Sequence, residues 1–139
     1  MPMKKSFYIL AAILLVAGCA DKEQASHASL LGTVWNLSEL NNEKIQHAGS
    51  QVPHLRFEAE RVTGNDGCNN FFGDYSLDDN NIKFGMMAST RMACQQIKNF
   101  DVEFNKMISA TTRYQISGNK LELFENDELL ASFDIAEQR

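Results

Sequence analysis

Asn70-Phe71-Phe72-Gly73-Asp74-Tyr75-Ser76-Leu77-Asp78-Asp79-Asn80-Asn81-Ile82-Lys83-Phe84 is the stretch that decides the fold. Phe71, Gly73, Tyr75 and Leu77 recur at every second residue, the period that lines one face of a strand. Asp78-Asp79-Asn80-Asn81 then breaks the pattern with residues that tolerate positive φ, which predicts a hairpin tip. Ile82 and Phe84 resume the period on the returning strand. The unit is an antiparallel hairpin.

The same grammar extends in both directions. Upstream, Thr33 to Leu40 sets Trp35 and Leu37 on one face and stops at Asn41-Asn42, before a polar loop with Gly49 and Pro53. His54 to Glu58 offers Leu55 and Phe57, Arg61 to Gly64 follows, and Asn65-Asp66-Gly67 makes a turn. Downstream, between Gln95 and Thr111, the period changes. Ile97, Phe100, Phe104, Met107 and Ile108 fall at helical spacing, with Asp101 and Glu103 toward the N-terminal half. Tyr114 and Ile116 return to the strand period, and Ser117-Gly118-Asn119 turns into Leu121 and Leu123. Asn126-Asp127 turns into Leu129, Ala131 and Phe133. The expected fold is mainly β (α+β), a small antiparallel β-barrel of about eight short strands with one helix inserted near residues 95–111. Curling the sheet removes its edges, and the Phe100/Phe104/Met107 stripe would cover one open end or face.

The N-terminus carries an address. The apolar run Phe7 to Ala17 follows Lys4 and Lys5 and would span only about 17 Å as a helix, short of a ~30 Å hydrocarbon core. Leu15-Val16-Ala17-Gly18-Cys19 resembles the lipobox of bacterial lipoproteins. That resemblance implies a signal peptide over residues 1–18 and lipidation of Cys19. Ala20, rather than Asp, follows the cysteine, which points to the outer membrane, facing the periplasm. Residues 19–29 are polar and without period, a flexible tether, and the domain is expected over residues 30–139. The whole chain carries a net charge of −5, and loss of Lys4 and Lys5 makes it more acidic. Nucleic acid and anionic headgroups are poor partners for such a surface.

Of three cysteines, lipidation of Cys19 leaves Cys68 and Cys94, an even number in an oxidising compartment. A bridge between them is worth roughly 3–4 kcal/mol in the chain-entropy picture. Two buried free thiols are the competing reading.

Gly32-Thr33-Val34-Trp35, Gly67-Cys68-Asn69, Gly73-x-Tyr75 and Met92-Ala93-Cys94 together resemble the META domain of the HslJ heat-shock protein family, over roughly residues 30–134. The resemblance implies a small antiparallel barrel with a helix. It also implies links to heat stress, to novobiocin resistance and, in distant relatives, to motility or virulence. It supplies no catalytic residues. Trp35, Gly67, Asn69, Gly73 and Tyr75 are read as structural. Gly67 provides an unusual backbone angle, and the Asn69 side chain satisfies backbone groups where strand pairing is interrupted.

Enzyme readings do not assemble. Cys68 with His54 fails as nucleophile and base if the cysteine is oxidised. His27, His47 and His54 lack metal-ligand spacing, and no phosphate or dinucleotide loop is present. Glu58 and Asp74 are candidates for paired carboxylates, but a chance pair is expected among eighteen acids. No cofactor or metal is implied, and a monomer is expected. The leading expectation is a non-enzymatic, membrane-tethered envelope module acting by protein contact in stress tolerance. Phe71, Phe72, Met86-Met87 and Arg91 are the candidate contacts. Phe71 and Phe72 cannot both face inward on a regular strand. The alternative is a lipocalin-like carrier of a small apolar ligand, its cavity lined by Trp35, Leu55, Phe57, Phe84 and Leu123.

Overall fold

Nine strands and one helix are present in a computed structural model that describes residues 28–46, 51–94 and 99–137. The expected signal segment, Cys19, His27, most of the tether, His47, Gly49 and Ile97 lie outside the described residues. In chain order the elements are β1 (Val34–Leu40), β2 (Glu43–Lys44), β3 (His54–Phe57), β4 (Arg61–Asn65), β5 (Asn70–Asp78) and β6 (Asn81–Ser89). The helix α1 (Phe100–Ala110) follows, then β7 (Arg113–Ser117), β8 (Lys120–Glu125) and β9 (Glu128–Ile135).

Each strand pairs antiparallel with the next in the order β2-β1-β3-β4-β5-β6-β7-β8-β9, and β1 also pairs with β9. The sheet therefore closes into a ring. β1 binds β3 through Val34, Trp35 and Asn36 on one side, and β9 through Trp35 to Leu40 on the other. Eight strands make the ring. β2 is the ninth, a two-residue stub absent from the expected eight, because Glu43 and Lys44 carry no alternation. It arises where Asn41 and Asn42, at φ 50° and 66°, fold the chain back on Leu40.

The predicted tips are tight. Asp78 pairs with Asn81, Ser117 with Lys120 and Glu125 with Glu128, each across two residues. Asp79, Gly118 and Asn126 supply the positive φ these turns need. Trp35, Leu55, Phe57, Val62, Phe104, Leu121, Leu123 and Phe133 show no exposed surface and form the centre of one core. The Trp35 indole N–H donates to the Leu30 carbonyl at 3.3 Å, so its burial strands no donor.

The ring is thinnest between β6 and β7, where Asn81 opposite Arg113 is the paired position, flanked by Ile82 N–H to Thr112 O and Tyr114 N–H to Asn80 O. The helix joins these two strands. It turns Phe104, Met107 and Ile108 into the core, and the Phe104 ring lies 5.7 Å from that of Phe71. Asp101 and Glu103 sit in its first turn, where the helix dipole favours negative charge. The predicted helix over 95–111 ends one residue early. Thr111 is extended, its hydroxyl capping the Met107 carbonyl at 2.7 Å. At the other end helix is described from Phe100, after Asn99 at φ 64°.

Two inward assignments need correction. Leu77 is 43% exposed although its cross-strand partner Ile82 is buried: it stands next to the hairpin tip, at the edge of a surface groove that Ile82 and Phe84 also line. On β9, Leu130 is buried as well as Ala131 and Phe133, because a register shift opposite Leu123/Phe124 inserts a residue.

Candidate functional site

The segment Asn65–Asn70 is the most polar part of the interior. Asn65 and Asn70 close the β4–β5 hairpin, and the four residues between them form its loop. Asn65 Oδ1 accepts from Gly67 N–H at 2.7 Å. Asp66 Oδ1 accepts from Cys68 N–H at 3.0 Å and Asn69 N–H at 2.6 Å. Gly67 sits at φ 93°, an angle that side chains resist. Asn65 Nδ2 donates to Gln51 and to Asn70 Oδ1. Asn65, Asp66 and Asn69 are buried, and among the described residues no buried side-chain nitrogen or oxygen lacks a partner. The loop spends its polar groups on itself.

Asn69 reaches further. Its Oδ1 accepts from the Met92 N–H at 2.7 Å and from the Thr90 hydroxyl at 3.0 Å, pinning the extended strap that leaves β6. Cys68 and Cys94 are joined by a disulfide, with Cα atoms 5.9 Å apart, at the end of the same strap. A side-chain clamp and a covalent tie thus hold residues 90–94 to the loop. Sequence reading placed Asn69 at a break in strand pairing, but not the strap it holds. It reads Asn65 and Asp66 as an ordinary turn and does not single out Gln51, because nothing local shows that the ring closes around Asn65 and Asp66.

Gly73 and Tyr75 stand beneath this loop on β5. An added Cβ on Gly73 would come within 2.7 Å of the Met86 carbonyl oxygen, so the backbones meet there. The register between β5 and β6 shifts at that point: Gly73 opposes Met87 and Tyr75 opposes Phe84. Gly85 and Met86 thus stand against the single residue Asp74, a one-residue bulge that leaves Met86 95% exposed. The Tyr75 hydroxyl donates to the Glu58 carbonyl at 2.6 Å, and its ring meets Phe57 edge-on at 5.1 Å. Burial, followed by the neighbouring Tyr114, raises the Tyr75 pKa above its ordinary value.

The contact candidates divide by face. Phe71 is in the core, so it is withdrawn as a contact, while Phe72 is 49% exposed with the Arg61 guanidinium 5.1 Å from its ring centre. Arg91 is exposed, Met92 is half exposed and Met87 is partly buried. Trp35, Leu55, Phe57 and Leu123, the expected lining of a carrier cavity, are instead fully buried in the core. Phe84 borders a surface groove of ≈ 460 Å³ shared with Leu77, Ile82, Ser109 and Thr111.

The titratable candidates each meet a local partner. His54 Nδ1 lies 2.8 Å from the Val52 carbonyl, Glu58 faces Arg56 at 3.7 Å, and Asp74 pairs in register with Arg61. Among the described residues no three His, Cys, Asp or Glu side chains gather as a metal-ligand set, and no helix is long and apolar enough to cross a membrane.

A family model described as the META domain matches residues 28–137. Heat shock protein HslJ of Escherichia coli is 26% identical over 125 residues, 87% of this chain and 89% of that protein. Among solved structures, the fold is similar to an NMR structure of a protein from Burkholderia xenovorans. The TM-score is 0.63 at 21% identity, over 78% of this chain and 85% of that one. It is also similar to the crystal structure of a DUF4847 family protein from Bacteroides vulgatus. There the TM-score is 0.56 at 15% identity, over 79% of this chain and 96% of that one. At these identities the structural likeness is one of fold.

Proposed function

The chain belongs to the META domain family, and on that premise we propose that it works without catalysis, as a lipid-anchored envelope module that supports stress tolerance by binding another envelope protein. The observation that carries this reading is the distribution of apolar surface. The interior of the ring is filled with side chains, whereas Phe72 and Met86 stand outside it on one hairpin, with Met92 on the strap that follows. Large apolar side chains held outside a filled core are available to a protein partner. The heat-shock name of the Escherichia coli relative supports the stress setting, and the lipobox-like stretch ending at Cys19 supports the anchor.

The test is capture from detergent-solubilised envelope after heat stress, using the full-length chain as bait. A specific protein should be recovered with the wild type and lost with the Phe72→Ala/Met86→Ala double variant. Equal recovery by both, or equal heat survival of cells carrying either, would overturn the reading. Cys19→Ala should leave the membrane fraction or remain unprocessed; normal fractionation would remove the anchor from the proposal.

A further inference from the structure

The two halves of the Cys68–Cys94 bond are unlike. Cys68 is 5% exposed, whereas Cys94 is exposed at the end of the strap. Two polar groups attend the Cys68 sulfur: Asn69 Nδ2 at 3.4 Å and the Met92 carbonyl oxygen at 3.5 Å. In the disulfide that sulfur has no proton to give, so Met92 O faces it without a bond. A thiolate at Cys68 would accept from Asn69, and a thiol would donate to Met92. The pocket is thus furnished for a sulfur released from the bond. The strap does not depend on the bond alone, since Asn69 Oδ1 holds Met92 N–H and Thr90 independently.

We propose that this disulfide is a reversible thiol-exchange site and that Cys94 is the residue modified, by a small thiol or a dithiol. The incoming thiolate attacks Cys94 Sγ, forming a new S–S bond there and breaking the old one. The electron pair leaves on Cys68 Sγ, which takes a proton from solvent. With a monothiol the product is a mixed disulfide on Cys94 and a thiol at Cys68. A dithiol then displaces Cys94 as well, leaving two protein thiols and an oxidised reagent, so two electrons pass from reagent to protein. Access selects the attacked sulfur, and a hydrogen bond to the departing thiolate makes Cys68 the better leaving group. Asn69 is the positioning residue. The inference stands apart from the partner reading, and either can fail alone.

The folded chain is treated with reduced glutathione, quenched in acid within seconds, and mapped by peptide mass spectrometry. Glutathione should be found on Cys94 over Cys68 by roughly tenfold or more, the combined effect of access and one hydrogen bond to sulfur. Near-ultraviolet circular dichroism should keep its native form. In a second measurement, oxidised glutathione should react faster with Cys68→Ser, which leaves the Cys94 thiol, than with Cys94→Ser. Asn69→Asp keeps the acceptor for Met92 and Thr90 but removes the Nδ2 donor to sulfur, and should move the adduct ratio toward Cys68, which a role confined to holding the strap would not do. An even distribution, an adduct on Cys68, or a bond that opens only in denaturant would overturn the proposal. The wild-type map decides even where a cysteine variant fails to fold.

Discussion

Asn69 concentrates more structural work in one side chain than any other residue of the loop. Its amide oxygen is the acceptor for both the Met92 N–H and the Thr90 hydroxyl in a buried setting. Asn69→Ala would leave a main-chain donor without its partner and is expected to cost about 1–3 kcal/mol, measured by urea denaturation with the disulfide intact. Asn69→Asp keeps an acceptor in place and should recover part of that loss. Tyr75 makes a pH prediction. Its folded-state pKa is raised by burial and then by Tyr114, so the folded chain holds the phenolic proton more tightly than the unfolded chain. The stabilisation is complete below the unfolded value of about 10 and is lost as pH rises through the folded one. Tyr75→Phe should lose about 1 kcal/mol at neutral pH with its bond to Glu58, and should show a shallower fall in stability above pH 10. A wild type and variant that decline in parallel would refute the assignment.

At the scale of elements, the β5–β6 hairpin is shaped by a bulge that a strict two-residue period does not contain. Gly73 permits it, because Met86 and Met87 pass where a side chain would stand. Gly73→Ala must push these strands apart and should cost about 1–3 kcal/mol by thermal or urea unfolding, as overpacking does. A neutral result would show that the β6 backbone yields freely. The hairpin tips were legible because Asn, Asp and Gly reach positive φ by local preference alone. The bulge was not, since it depends on how two strands align rather than on either one. The same reason explains β2, which exists only because β1 offers it an edge.

For the whole molecule, the decisive event is closure of the sheet through β1 and β9, with α1 joining the weakly paired β6 and β7 and burying Phe104, Met107 and Ile108 in the core. Phe104 has no exposed surface and packs against Phe71. Phe104→Ala should therefore cost about 3–5 kcal/mol, whereas Phe72→Ala on the outer face should change stability by no more than about 0.5 kcal/mol. Urea unfolding of the two variants side by side checks the contrast, and similar losses would mean that Phe72 is part of the core. The residue pattern alone determined the strand period, the turns, the single helix and the motifs of the family, because each is set by neighbours within a few positions. Which of Phe71 and Phe72 faces solvent, which carbonyls Asn69 and Tyr75 meet, and which sulfur of the cysteine pair lies open were decided only by tertiary structure. Those outcomes depend on ring closure and strand register, which bring together residues far apart in the chain, and no local preference encodes them.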